Sequence, residues 1–371
     1  MMRCTVIAAA LAASVGTPSW ARASEPLPPP APPPAEESAS YTPLSLALVT
    51  PVALPPLDPM VVGGLGLNIL YGLSRSTYGI ELGAILNHET ENMGGVQLSA
   101  IANWTGKAAG GIQLAGILNY NEGDCYGVVA GGGSYCGGSG GGLHVAAIYE
   151  EVSGRFDGLQ LGAGALYAKR PGALLQVAPV ALVGSGSAVQ IAPLLAGADE
   201  SLDGIQISTF AVNVLHEFSG LQISLIVFDN QTIPTSGGSC GYNCEIQVWT
   251  EFPDARTRGV ILAGGVRAQN FAGWLTSATI ASVQHRVEGV QLAGLANQGG
   301  DTSGIQIAPL FNYAEDLEGL QLSAINVARD VKGLQIGAIN VARELTGLQI
   351  GAINVAYGNK LPFMVIVNAG F

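Results

Sequence analysis

The chain repeats itself. A segment of the form Gly-(Leu/Ile/Val)-Gln-(Leu/Ile)-x-x-(Ile/Leu)-x-Asn returns at Gly79, Gly95, Gly111, Gly158, Gly204, Gly220, Gly289, Gly304, Gly319, Gly333 and Gly347. Degenerate copies surround Leu143, Leu175 and Val189, and starts are mostly 14 to 16 residues apart. A fixed period this short dominates the fold, because whatever one unit forms its neighbours form as well.

Each unit reads as a strand followed by a turn. In the copy from Gly304, Ile305, Ile307, Pro309, Phe311 and Tyr313 fall on one side, and Gly304, Gln306, Ala308, Leu310 and Asn312 on the other. That is period-two alternation, rich in β-branched residues and bounded by charged turns such as Glu315, Asp316 and Glu318. The fold class is all-β.

Two architectures accommodate such strands. The first expectation is an antiparallel transmembrane β-barrel of roughly 16–19 strands, since a ten-residue strand tilted near 40° spans about 25 Å. Charged residues are only 11% of the chain, which suits a wall facing lipid. Phe363, Val365, Val367, Ala369 and Phe371 alternate to the last residue, as in the closing strand of outer-membrane barrels. The alternative is a parallel β-solenoid with one 14–16-residue coil per repeat. Pro179, Pro193 and Pro309 share one position, five residues past the unit start, where a barrel strand needs a backbone donor. The 14-residue copies lack one residue near that place, as a corner tolerates. An apolar residue recurs two before the next unit, at Leu202, Phe218, Val287, Leu317, Val331 and Leu345. In the solenoid, Asn312, Asn326, Asn340 and Asn354 would stack as a ladder. The glutamines at the third position would face the interior of a barrel, or form an uncharged outer ladder on a solenoid.

Residues 1–23 read as a signal peptide: Arg3, an apolar run from Val6 to Val15, and Ala21-Arg22-Ala23 before Ser24. Residues 24–60 form a Pro-rich spacer and 61–371 the β-repeat domain. Cleavage removes two arginines and no acid, so the net charge of −12 becomes −12 − 2 = −14. An acidic chain without a basic cluster is not expected to bind nucleic acid. Export is expected to the outer membrane or cell surface, with outer-membrane lipid as partner. Cys125, Cys136, Cys240 and Cys244 remain, and disulfides are expected, proximity favouring Cys125–Cys136 and Cys240–Cys244 as staples of Gly-rich loops.

No chemistry-bearing constellation emerges. Gly131–Gly133 and Gly137–Gly142 lack phosphate-loop spacing, and Ser185 lacks a nucleophile elbow. His88, His144, His216 and His285 sit singly, and Asp199, Glu200 and Asp203 read as turn residues. No catalytic residue, metal site or cofactor is expected. The expected role is a structural or pore-forming surface protein, with a solenoid adhesin or binding module as the alternative.

The repeat wording resembles a family of bacterial surface repeat-containing proteins, first named from spirochaetes and widespread in Gram-negative bacteria. The resemblance spans Gly79 to Phe371 and extends to the tail Leu361-Pro362-Phe363 with Asn368 and Phe371. The segments Cys125–Gly142 and Asn230–Gly259 depart from the pattern. The resemblance implies a surface location and supplies no catalytic residues.

Overall fold

A computed structural model describes residues 41–49, 52–54, 60–228 and 256–371. The residues expected to form the signal peptide, Cys240, Cys244 and most of the insertion around them lie outside the described residues. Among those described, the chain is all strand and turn without a helix.

Consecutive units stack in parallel, like residue over like residue, into a right-through β-solenoid of about 17 turns. Gly304, Gln306 and Asn312 lie over Gly319, Gln321 and Asn326, which lie over Gly333, Gln335 and Asn340. The antiparallel transmembrane barrel is therefore corrected to the solenoid. The reason is in the period. Parallel stacking sets Gln over Gln and Asn over Asn through most of the coils, whereas antiparallel neighbours bring unlike positions together. The interior of the coils is filled by side chains.

Three bends close each coil. Inward-facing alternation is interrupted after the Gln segment, at pairs such as Ala324-Ile325, and again after the Asn segment, at pairs such as Glu315-Asp316. The third bend is a glycine column. Gly319, Gly333 and Gly347 adopt φ of 144°, 145° and 138°. A Cβ at Gly333 would stand 2.1 Å from the carbonyl oxygen of Gly319 in the coil before it. Only glycine combines that φ with that approach.

The corner after the Gln segment is where coil length varies. Pro179, Pro193 and Pro309 all sit in this bend, outside the strands. The 15-residue coil and its 14-residue successor remain paired on both sides of it, at Ile307↔Leu322 and Phe311↔Ile325. The bend absorbs the difference, as the sequence suggested. The recurrent apolar residue also has its place: Leu202, Phe218, Val287, Leu317, Val331 and Leu345 are all buried.

Two ends are distinct. Tyr41–Val49, inside the segment read as a spacer, pairs in parallel with Val61–Ser74 and buries Thr42, Ser45 and Ala47. At the other end Phe363–Gly370 turns back and pairs antiparallel with Glu344–Ala356, halting the parallel stack.

Candidate binding surface

The interior of the coils is unusually polar. Gln97, Gln113, Gln160, Gln176, Gln190, Gln206 and their later counterparts are 0–1% exposed, as are Asn87, Asn103, Asn119 and Asn297 to Asn354. The glutamines thus form an inner ladder, correcting the outer ladder expected for a solenoid. Gln349 Nε2 donates to Gln335 Oε1 at 2.8 Å, Gln335 to Gln321 at 2.8 Å and Gln321 to Gln306 at 2.8 Å. The asparagines run the other way: Asn312 Nδ2 donates to Asn326 at 3.1 Å, Asn326 to Asn340 and Asn340 to Asn354, both at 2.8 Å. Second amide protons reach backbone carbonyls, as from Asn326 to Ile336 at 2.8 Å. An amide that meets its own kind every ~4.8 Å is satisfied without water, so burial carries little penalty.

Two of the glutamine runs begin on carboxyl groups, and the last run ends on an amide. Gln97 donates to both Glu81 and Glu89 at the first turns, and Gln160 to Glu150 where the run resumes. At the far end Asn368 of the returning strand donates to Gln349 Oε1 at 3.2 Å. Burial, and then the neighbouring Glu81 carboxyl, push the Glu89 carboxyl well above the ordinary carboxylate range. His144 takes the Gln position and Glu150 the Asn position of one coil, with Nδ1 and Oε1 2.6 Å apart and Phe156 edge-on to the imidazole. His144 therefore has an acidic partner, against the reading that it stands alone. These groups are sealed in the core.

The disulfide is internal as well. Cys125–Cys136 forms, with both cysteines fully buried. It is not a loop staple: Cys125 stacks on Ala109, and Cys136 stands between Asn121 and Val152. The segment that departs in sequence from the repeat is thus an ordinary coil, with Val129 over Gln113 and Ser134 over Asn119.

With amides inside, the aliphatic residues of the repeat face out. The positions on either side of the Gln column form two continuous rows: Ile80, Val96 and Ile112 through Ile305, Leu320, Leu334 and Leu348, and Leu82, Leu98 and Leu114 through Ile307, Leu322, Ile336 and Ile350. Among the described residues Thr276 is the one polar member of either row. The adjoining corner is a convex ridge carrying Ile85, Ile101, Ile117, Ile148, Leu194, Phe210 and Leu310, with exposure reaching 62% at Ile117 and 73% at Ile148. Between row and ridge, Ala84, Ala100 and Gly116 leave a shallow apolar groove of about 450 Å³.

An aromatic row borders this sector. His88, Trp104 and Tyr120 follow the Asn of successive coils and Tyr135 follows Ser134 at the same position, with ring centroids 5.1, 5.0 and 5.0 Å apart. Tyr71 begins the file, its hydroxyl 2.9 Å from His88 Nδ1. Beyond it lies the charged edge. There Lys107 and Arg75 pair with Glu91 at 2.9 and 3.2 Å, and Arg329 with Asp316 at 2.8 Å. Hydrogen bonds from Lys107 and Arg75 hold the Glu91 carboxyl below its usual range. His216, His285, Asp199, Glu200 and Asp203 are exposed along this edge, and Ser185 Oγ meets Ser201 Oγ at 2.7 Å.

The buried Glu81, Glu89, His144 and Glu150 and the aromatic row escaped the reading of single motifs. Aligning the units would reveal them: Glu81 and His144 stand where Gln belongs, and an aromatic or histidine follows Asn87, Asn103 and Asn119. No family model matches the chain, and neither a curated protein nor a solved structure matches it.

Proposed function

We propose that this chain is an exported, non-enzymatic surface module that binds through the apolar side of its solenoid. The observation that carries the reading is the segregation of its surface. Two aliphatic rows run the length of the stack with large apolar side chains at many of the adjoining corners, and exposed charge lies on the other sides of the coils. About 17 turns at ~4.8 Å make a strip ~80 Å long, and one wall four residues wide presents roughly 1,000 Å². That exceeds the largest apolar patch of an ordinary soluble monomer, about 300–600 Å², and patches of this size mark interaction sites. The resemblance to bacterial surface repeat proteins and the signal-like N-terminus support placement outside the cell.

Two measurements test this. Biotinylation of intact expressing cells should label the chain at exposed lysines such as Lys107; labelling only after lysis would refute surface placement. Purified chain should enhance the fluorescence of an apolar dye, and Leu114→Glu with Ile207→Glu should abolish most of that signal. An unchanged signal would remove the apolar side as the binding surface.

A further inference from the structure

We infer that the occupant of this surface is a phospholipid leaflet: the solenoid lies lengthwise on the membrane, with its apolar ridge among the acyl chains. This rests on the apolar side being the binding surface, and names its partner.

The first argument is hydrogen bonding. A protein interface carries about one hydrogen bond per 100–200 Å². The two rows expose aliphatic side chains, and the backbone beneath is paired coil to coil. Over ~80 Å this strip offers almost nothing to a partner that needs polar recognition. Its chemistry matches a medium uniform along its length and free of donors and acceptors.

The second argument is shape. Exposure is greatest at the corner, so the sector is a convex ridge, as Ile117, Ile148, Leu194 and Leu310 show. Two convex ridges meet only along a line, which disfavours a second copy. A fluid leaflet closes around a ridge, and apolar faces of interfacial proteins sink about 5–10 Å into the headgroup and acyl boundary.

The third argument is the border. His88 and Trp104 are tilted by 33°, Trp104 and Tyr120 meet edge to face at 65°, and Tyr120 stacks on Tyr135 at 15°, so the rings pack on one another along the file. Amphipathic rings in a file between an aliphatic sector and a charged edge are placed as in the aromatic belts of membrane proteins, at headgroup level. Trp104 Nε1 points its donor to Glu122 at 3.2 Å, on the polar side. The chain carries a net charge of −12 and no basic cluster, so attachment is apolar and favours zwitterionic lipid.

Flotation of the purified full chain with phosphatidylcholine vesicles tests the proposal. Co-flotation is expected at low and high salt alike, falling at least tenfold in Leu114→Glu/Ile207→Glu with an unchanged circular dichroism spectrum. Arg329→Ala, on the charged edge, should float like the parent. Depth provides a reading that requires no disruptive variant. Trp274 lies in the outer row and Trp104 at the border. Comparing parent, Trp274→Phe and Trp104→Phe, acyl-brominated lipid should quench Trp274 the more strongly. Failure to float, or equal quenching of both tryptophans, overturns the lipid assignment. If the chain instead enhances the apolar dye yet forms dimers that the Glu pair dissociates, the binding surface stands and its occupant is a second copy.

Discussion

Gln335 makes the energetic logic of the molecule concrete. Its amide joins Gln321 below to Gln349 above, at 2.8 Å each. Gln335→Ala leaves one acceptor and one donor stranded in the core, and each such group costs about 1–3 kcal/mol. Ile350→Ala, on the outward row, should cost about 1 kcal/mol, because that side chain is already partly in water. Chemical denaturation should therefore rank a polar truncation above an aliphatic one, inverting the usual order. Glu89 gives a pH signature. An acid whose folded pKa is raised binds more protons folded than unfolded. Its stabilising contribution is full below the ordinary glutamate value, about 4.3, and is lost as pH climbs towards the raised one. Glu89→Gln should flatten that decline, so the variant gains on the parent as pH rises through the neutral range. A parent whose melting temperature is no more pH-dependent than the variant's would contradict the buried acid.

At the scale of the coil, the disulfide and the corner act on different problems. Cys125–Cys136 closes 11 residues within one turn. Chain-entropy reasoning assigns such a loop about 3 kcal/mol, so Cys125→Ala/Cys136→Ala should unfold at lower denaturant with its strands intact beforehand. The strands and the corner were legible in the sequence: alternation marked the strands, and Pro179, Pro193 and Pro309 marked a bend that needs no donor. What alternation cannot state is which side faces in. Ile305 and Ile307 look like core by hydrophobicity, yet they lie outside and Gln306 lies inside. A lone buried Gln is costly, but in parallel register Gln306 finds Gln291 and Gln321 at 2.8 Å. The decisive interaction lies between coils, and a single unit does not display it. His144 and Glu150, six residues apart, meet instead within one coil, because the coil folds one wall against the next.

For the whole molecule, the test that separates this architecture from a barrel is subtraction. Deleting 333–346 removes one complete coil and brings Lys332 to Gly347, both in the register their neighbours expect. The shortened chain should keep its strand spectrum and melt cooperatively, slightly below the parent; deleting seven residues from the same place should disrupt the C-terminal turns. A barrel missing one strand would fare no better than one missing half. The low charge and closing aromatic that suggested a membrane barrel had a physical basis, since both fit an apolar exterior. They are silent on whether that exterior wraps a lumen or a packed rod. The opposed directions of the two amide ladders bear on how long such a rod can grow. Each side-chain amide is a dipole, and a file of them donating in one sense adds up, turn upon turn, to an axial polarity. Here the Gln file points towards the N-terminal end and the Asn file towards the C-terminal end. Where both files run side by side their moments oppose, so added length need not leave uncompensated partial charge at the tips.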